Sequence, residues 1–140
     1  MKVVVDASVT LKWLFDDPAT EPLTAEATRL MQAVAEGSLE VVQPPHWLAE
    51  VAAVLTRKAA ASAEADIRLL INMELPVVDN PELLLRASRL SSQLNHHLFD
   101  TLYHAVALDQ GIVLITADEH YLRKALPIGQ ICWLADWVAP

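Results

Sequence analysis

The chain has 140 residues, 54% of them hydrophobic, and its formal net charge at pH 7 is −8. This length allows one domain with a sizeable core, and the acidic charge excludes a protein that holds nucleic acid on a broad basic surface. A nuclease whose positive charges are bound metal ions is not excluded.

Three further features narrow the class of protein. No apolar run approaches the roughly 18 residues needed to cross a bilayer. The single cysteine, Cys132, allows no internal disulfide and fits the reducing cytoplasm, where we expect the protein to be. The three glycines are too far apart to form either of the common nucleotide-phosphate loops. We therefore expect one cytoplasmic domain, residues 1–140, that does not enter a membrane.

Short apolar segments alternate with longer amphipathic segments along the chain, which is typical of strands alternating with helices. In chain order the pattern predicts a strand at 2–5, helices at 7–16 and 21–36, a strand at 39–43, helices from 44–47 to about 60 and at 63–73, a strand at 75–79, helices at 81–95 and 100–110, a strand at 111–116, a helix at 117–125 and a strand at 130–134. This alternation predicts an α/β three-layer sandwich, with a parallel sheet covered by helices on both faces.

Four carboxylates interrupt apolar sequence. Asp6 ends the segment VVVD, Asp118 follows LITA, and Glu50 and Asp100 are each the only charge in a long apolar stretch. A carboxylate inside buried sequence must be paired, protonated or bound to metal. Because the carboxyl ends of parallel strands share one edge of a sheet, Asp6 and Asp118 could meet there. Asp100 begins the helix that leads into the strand before Asp118.

Helix capping is the alternative role for three of these acids. Asp6, Asp100 and Asp118 each stand at or next to the start of a predicted helix and could accept hydrogen bonds from its first N–H groups. Glu50 lies within its helix and could instead extend into solvent. Two hydroxyls stand two residues from an acid and could either orient it or act as caps: Ser8 and Thr116.

Convergence of the four acids would require a cation. Two carboxylates about 5 Å apart repel by roughly 3 kcal/mol at an effective dielectric constant near 20. Oxygen ligands, with no clustered cysteine and few histidines, favour a hard ion, Mg²⁺ or Mn²⁺, over zinc.

The order of these motifs resembles that of the PIN-domain nucleases. The shared features are D-x-S after the first apolar strand, a lone glutamate in an apolar helix, a helix start of the form F-D-[small]-x-Y, and a late strand ending in T-x-D. The stretch VVDASVTLKWL is especially similar to the VapC toxins of VapBC toxin–antitoxin modules. The resemblance spans the whole chain.

The resemblance implies a five-stranded parallel sheet of order 3-2-1-4-5, flanked by helices, and metal-dependent cleavage of RNA. The catalytic acids would be Asp6, Glu50, Asp100 and Asp118, and the supporting hydroxyls would be Ser8 and Thr116. The resemblance also implies a homodimer that is neutralised by a cognate antitoxin protein.

The roles of the acids follow from the same resemblance. Asp6, Asp100 and Asp118 would hold Mg²⁺ or Mn²⁺, while Glu50 would either bind metal or orient the attacking water. The number of metal ions stays open, because His120 stands where some relatives carry a further acid. Lys12, one and a half turns into the first helix, is a candidate contact for a substrate phosphate.

A catalytically inactive PIN-like module that binds a partner is the alternative function. Such a module would be expected to have lost at least one acid, and all four are present. Among the histidines, His104 on an apolar helix is expected to be a hydrogen-bonded core residue. His96 and His97 could either line an RNA groove or stand in a loop without partners.

Overall fold

The computed structural model describes residues 1–140, which form four strands and seven α-helices. In chain order these are β1 (Lys2–Val5), α1 (Ala7–Leu14), α2 (Thr24–Ala35), β2 (Glu40–Val41), α3 (Trp47–Lys58), α4 (Ala63–Asn72), α5 (Glu82–Leu94), α6 (Leu98–Gln110), β3 (Val113–Thr116), α7 (Glu119–Ala125) and β4 (Ile131–Trp133). Short 3₁₀ helices lie on either side of β4, and none of the helices has the length and apolarity needed to span a bilayer.

The strands form one parallel sheet of order β2-β1-β3-β4, which confirms the predicted α/β class. The prediction of five strands is wrong. The segment predicted as a strand at 75–79 makes a single parallel bridge, between Val77 and Gln43, on the outer side of β2. Pro76 has no N–H to donate, and Val77 is 47% exposed, so neither a hydrogen-bond ladder nor burial extends this bridge into a strand.

Helices cover both faces of the sheet. The connection from β1 leads outward to β2, and the next connection returns past β1 to β3 on its other side. Because such crossovers are right-handed, their helices lie on opposite faces. Helices α1 and α6 both pack against β1 and β3, and these are in turn covered by α2 and α5. A core of 29 buried residues fills the layers, and the three valines of β1 are all part of it.

Among the small differences between observed and predicted helix bounds, those of three helices matter for the site and its surroundings. Helix α1 ends at Leu14 rather than at residue 16, and α2 begins at Thr24 rather than at residue 21, because Leu23 adopts a left-handed conformation with φ of 60°. Helix α6 begins at Leu98 with His97 as its N-cap residue. Asp100 therefore lies within the first turn and is not the cap.

The strand order places a crevice at the carboxyl ends of β1 and β3. Chain connections leave these two neighbouring strands in opposite directions, which is the position where ligands bind in open α/β sheets. Asp6 directly follows β1, Thr116 is the last residue of β3, and Asp118 comes two residues later. This edge of the sheet is therefore where a functional site is expected.

Candidate active site

Asp6 is a buried carboxylate whose two oxygens both accept hydrogen bonds from hydroxyl groups. Ser8 Oγ donates to Oδ1, and Thr116 Oγ1 donates to Oδ2 from the neighbouring strand. Although Asp6 occupies the N-cap position of α1, its side chain accepts no hydrogen bond from that helix. The capping alternative is therefore wrong for Asp6.

Backbone N–H groups hold both hydroxyls in place. Ser8 Oγ accepts a hydrogen bond of 3.0 Å from the N–H of Ala117, and Thr116 Oγ1 accepts one of 3.0 Å from the N–H of Asp118. Each hydroxyl proton is thereby directed to Asp6, and the D-x-S and T-x-D motifs form one network across β1 and β3. A carboxylate offers about four lone-pair sites, so Asp6 keeps acceptor capacity for a further ligand.

Asp118 combines the two roles that its sequence position allows. Its Oδ1 accepts a hydrogen bond of 3.1 Å from the N–H of Tyr121, so it caps α7. Asp118 also belongs to a group with Asp100 and His96 in which one oxygen or nitrogen atom from each residue lies within 4.8 Å of the others. Capping and membership of an acidic site are thus compatible here.

His96, which the sequence offered as a groove or loop residue, is a member of the site through a contact with Asp100 that the sequence did not predict. Its side chain is only 6% exposed, and its Nε2 lies 2.7 Å from Asp100 Oδ2. The ammonium of Lys124 lies 3.4 Å from Nδ1, and because an ammonium can only donate, Nδ1 accepts and the Nε2–H donates to Asp100. The spacing of four residues between His96 and Asp100 is the one sequence signal for this contact.

Glu50 faces the same cleft as Asp100 and does not extend into bulk solvent. The two line an open cleft of about 410 Å³ together with His97, Leu98 and Phe99. Glu50 Oε2 is buried, lies 3.0 Å from His46 Nε2 and makes no hydrogen bond with it. The carbonyl oxygen of Phe99, 2.9 Å from the same nitrogen, accepts that proton instead.

Burial and mutual repulsion raise the pKa of two of the acids. The pKa of Asp6 is raised to about 7, chiefly by burial; the hydrogen bonds from the two hydroxyls oppose the rise, and the charges of Asp100 and Asp118 contribute to it. Burial also raises the pKa of Asp100, and the charges of Glu50 and Asp118 contribute to the rise. The hydrogen bond from His96 acts in the opposite direction. The four acids therefore form one electrostatically coupled group.

Tyr103 is a residue near the acids to which the sequence assigned no role. Its side chain is fully buried, and its hydroxyl has no hydrogen-bond partner. Burial raises its pKa well above the usual value, and the charges of Glu50 and Asp6 raise it further, so the hydroxyl lies close to both acids and keeps its proton. The tyrosine three residues after Asp100 in F-D-[small]-x-Y is the only sequence signal for it.

The donor set fits a hard divalent cation. Carboxylates from four elements are brought together, and the buried Glu50 Oε2 beside them has no hydrogen-bond partner. Carboxylate oxygens are the ligands preferred by Mg²⁺ and Mn²⁺, and a divalent charge would offset the repulsion.

Two residues considered from the sequence are engaged elsewhere. Lys12 is buried, and its ammonium donates to Glu21 Oε1 at 2.5 Å and to the carbonyl oxygen of Pro22 at 2.8 Å. Because Lys12 is buried and its charge is paired with Glu21, we do not retain it as a substrate contact. His104 is a hydrogen-bonded core residue, as predicted: its Nε2–H donates to the carbonyl oxygen of Gly129, and its Nδ1 accepts from Tyr121.

Fold and site together define a parallel α/β protein with an acidic centre suited to a divalent cation. The PIN-domain family profile matches residues 3–126, and the chain belongs to the PIN-domain family. None of the curated proteins compared with the chain matches it.

Solved structures share this fold at low sequence identity. PAE2754 from Pyrobaculum aerophilum is 18% identical, with a TM-score of 0.67 over 96% of this chain and 90% of that one. VapC20 of Mycobacterium tuberculosis, described as a Sarcin-Ricin loop cleaving toxin, is 18% identical, with a TM-score of 0.65 over 86% of this chain and 94% of that one.

Proposed function

We propose that residues 1–140 form one PIN domain that acts as a metal-dependent endoribonuclease, the toxin of a type II toxin–antitoxin system. The observation that carries the proposal is the coupling of Asp6, Glu50, Asp100 and Asp118 at the carboxyl edge of the sheet. Membership of the PIN-domain family and the similarity of the fold to a toxin that cleaves the Sarcin-Ricin loop support it.

The residues proposed to hold Mg²⁺ or Mn²⁺ are Asp6, Asp100 and Asp118. Such an ion, when bound, supplies positive charge that stabilises the transferring phosphoryl group and makes water more acidic. Ser8 and Thr116 keep the Asp6 carboxylate in one orientation, because both of its oxygens are hydrogen-bonded to hydroxyls that the backbone holds. The site is thus preorganised before substrate arrives.

The remaining side chains would position groups and move protons. His96 donates to Asp100 and thereby fixes the direction of that carboxylate. Glu50 has a buried oxygen without a hydrogen-bond partner on the cleft wall, where it could orient water or bind metal. Hydrolysis would add water to the phosphorus, break the bond to the 3′ oxygen, and leave a 5′-phosphate and a 3′-hydroxyl.

Two protein partners are part of the proposal, a second copy of this chain and a cognate antitoxin, and we propose that the complex acts in the cytoplasm. Apolar side chains that are about half exposed or more stand on the surfaces of α4 and α5 and support protein contacts there: Leu69, Ile71, Leu84 and Leu85.

The test is cleavage of labelled RNA by purified protein with Mg²⁺, with Mn²⁺ and with EDTA. Substrates are total RNA, tRNA and an oligonucleotide of the Sarcin-Ricin loop. We expect cleavage with either ion, none with EDTA, and a loss of at least about 100-fold in the Asp6→Asn variant, because an amide removes a ligand charge. Asp109→Asn, the same change at an exposed position, should keep wild-type activity.

Equal cleavage by the wild type and Asp6→Asn would remove the catalytic assignment. Absence of cleavage by any preparation, together with tight binding of a partner protein, would favour the catalytically inactive module instead.

A further inference from the structure

A second, wholly polar pocket lies beside the acidic cleft. Its volume is about 400 Å³, and none of its lining residues is hydrophobic or acidic: Ser91, Asn95, His96, His97, His120 and Lys124. His97 also lines the acidic cleft, and His96 is hydrogen-bonded to Asp100. The pocket therefore adjoins the proposed catalytic site.

Lys124 is the fixed positive charge of this pocket. Five of the ten basic side chains pair with a carboxylate within 4.0 Å, namely Lys2, Lys12, Arg29, Arg68 and Arg123. Lys124 has no such partner. Its ammonium donates to the carbonyl oxygen of Asn95 at 2.8 Å and lies 3.4 Å from His96 Nδ1, which leaves one of its three protons for a ligand.

The surrounding groups are held in position around this ammonium. Asn95 ends α5 in a left-handed conformation, with φ of 48°, and Ser91 Oγ donates to the carbonyl oxygen of His96. The exposed rings of His97 and His120 stand 5.9 and 5.7 Å from the ring of His96. A held ammonium with imidazole and amide donors matches the oxygens of a phosphate group, and because no carboxylate lines the pocket, it does not suit a metal ion.

We propose that this pocket binds a phosphate group of the RNA strand next to the one that is cleaved, with Lys124 as its principal contact. The inference rests on the proposed function, since it names a substrate-binding position beside the same acids. It also explains how a chain of charge −8 could hold a polyanion, because attraction is supplied locally at the strand and not by a basic surface.

The test measures binding and cleavage separately. Affinity for a fluorescent single-stranded RNA of 12 nucleotides is measured in EDTA over a range of salt concentrations, and kcat and KM are measured with Mg²⁺. We expect Lys124→Met to weaken binding about 5- to 10-fold, to lower the slope of log K against log salt by about 0.7, and to raise KM.

Arg123→Met is the matched control, because it removes the same charge from the same short helix. Arg123 pairs with Glu119, its side chain is 73% exposed, and it does not line the pocket. Affinity and KM should stay within about twofold of the wild type. Equal losses of RNA affinity in the two variants would show that the effect comes from net charge alone, and would overturn the proposal.

Two more variants separate recognition from folding. Lys124→Arg keeps the charge and should bind within about threefold of the wild type, whereas His120→Ala, at an exposed position without hydrogen bonds, should weaken binding about two- to threefold. Unchanged affinity and KM in Lys124→Met would overturn the proposal that the pocket binds phosphate, while the proposed nuclease activity would stand. A wild type that binds RNA through Lys124 but does not cleave it would overturn only the proposed activity, and one that does neither would overturn both.

Discussion

At the level of single residues, Asp6 shows two opposed effects on one carboxylate. Its hydrogen bonds from Ser8 and Thr116 favour the charged form, while burial and the nearby acids favour the neutral form. Burial is the largest effect, so the pKa rises to about 7. A carboxylate that is only half ionised near neutral pH is poised to bind a cation, which would replace the proton.

The raised pKa of Asp6 predicts a pH-dependent stability in metal-free protein. The folded state binds this proton more tightly than the unfolded chain, where the pKa is near 3.8. The resulting stabilisation is fully present below about pH 4 and is lost as the pH rises to about 7, an effect on the order of 4 kcal/mol. We therefore expect the free energy of unfolding of the wild type to fall relative to that of Asp6→Asn between pH 5 and pH 8.

Urea unfolding in EDTA at four pH values between 5 and 8 checks this expectation. Asp109→Asn should follow the wild type, because its exposed carboxylate is not in the site. Parallel pH profiles for the wild type and Asp6→Asn would contradict the assignment of this titration to Asp6.

At the level of elements, the turn between α5 and α6 positions half of the site. Asn95 ends α5, His96 and His97 follow, and Asp100 stands in the first turn of α6. Thr101 Oγ1 donates at 2.8 Å to the carbonyl oxygen of Ala87 and so ties α6 to α5. The direction of Asp100 therefore depends on how these two helices are joined.

The left-handed conformation of Asn95 predicts a difference between two substitutions. With φ of 48° and ψ of 57°, alanine at this position should lower the free energy of unfolding by about 1 kcal/mol, while glycine should change it by only a few tenths. Urea unfolding of the Asn95→Ala and Asn95→Gly variants measures this difference.

Glu74 offers an independent control, since it is exposed and has φ of 50° outside the site. Glu74→Gly should stabilise the protein by about 1 kcal/mol. Equal stabilities of Asn95→Ala and Asn95→Gly would show that the turn does not impose the strained conformation.

At the level of the whole molecule, the topology gathers negative charge at one edge. Residues from the loops after β1 and β3, from α3 and from α6 meet there, although Asp6 and Asp118 are more than 100 residues apart. Right-handed crossovers and the strand order bring them together, and the repulsion that results is tolerated because the core of 29 residues holds the elements in place.

Metal binding should therefore stabilise the folded chain. At a metal concentration 100-fold above Kd the gain is about 2.7 kcal/mol, which corresponds to a rise in Tm of roughly 8 °C for a chain of this size. Thermal unfolding of EDTA-treated protein with added Mg²⁺ or Mn²⁺ measures the rise, and KCl of equal ionic strength is the control. A rise of the same size in Asp6→Asn would place the stabilising ion elsewhere.

Local pattern in the sequence was enough for the class of fold and for the choice of candidate acids. Alternating apolar and amphipathic segments report burial and periodicity, which are properties of neighbouring residues, so the parallel sheet and most helices could be predicted. The apolar segment around Val77 was predicted as a strand but forms only a single bridge, because the sequence pattern does not show whether another element covers the segment.

Which of the possible side-chain contacts form was decided only by the folded chain. The sequence could not show that Ser8 and Thr116 serve Asp6, that His96 holds Asp100, or that Lys12 is occupied by Glu21. Such contacts depend on the strand order and on the angles between helices. Residues far apart in the chain contribute to both. Asp118 shows why local sequence is insufficient. The same position suits a helix cap and a member of an acidic centre, and only the residues around it in the fold show that it serves as both.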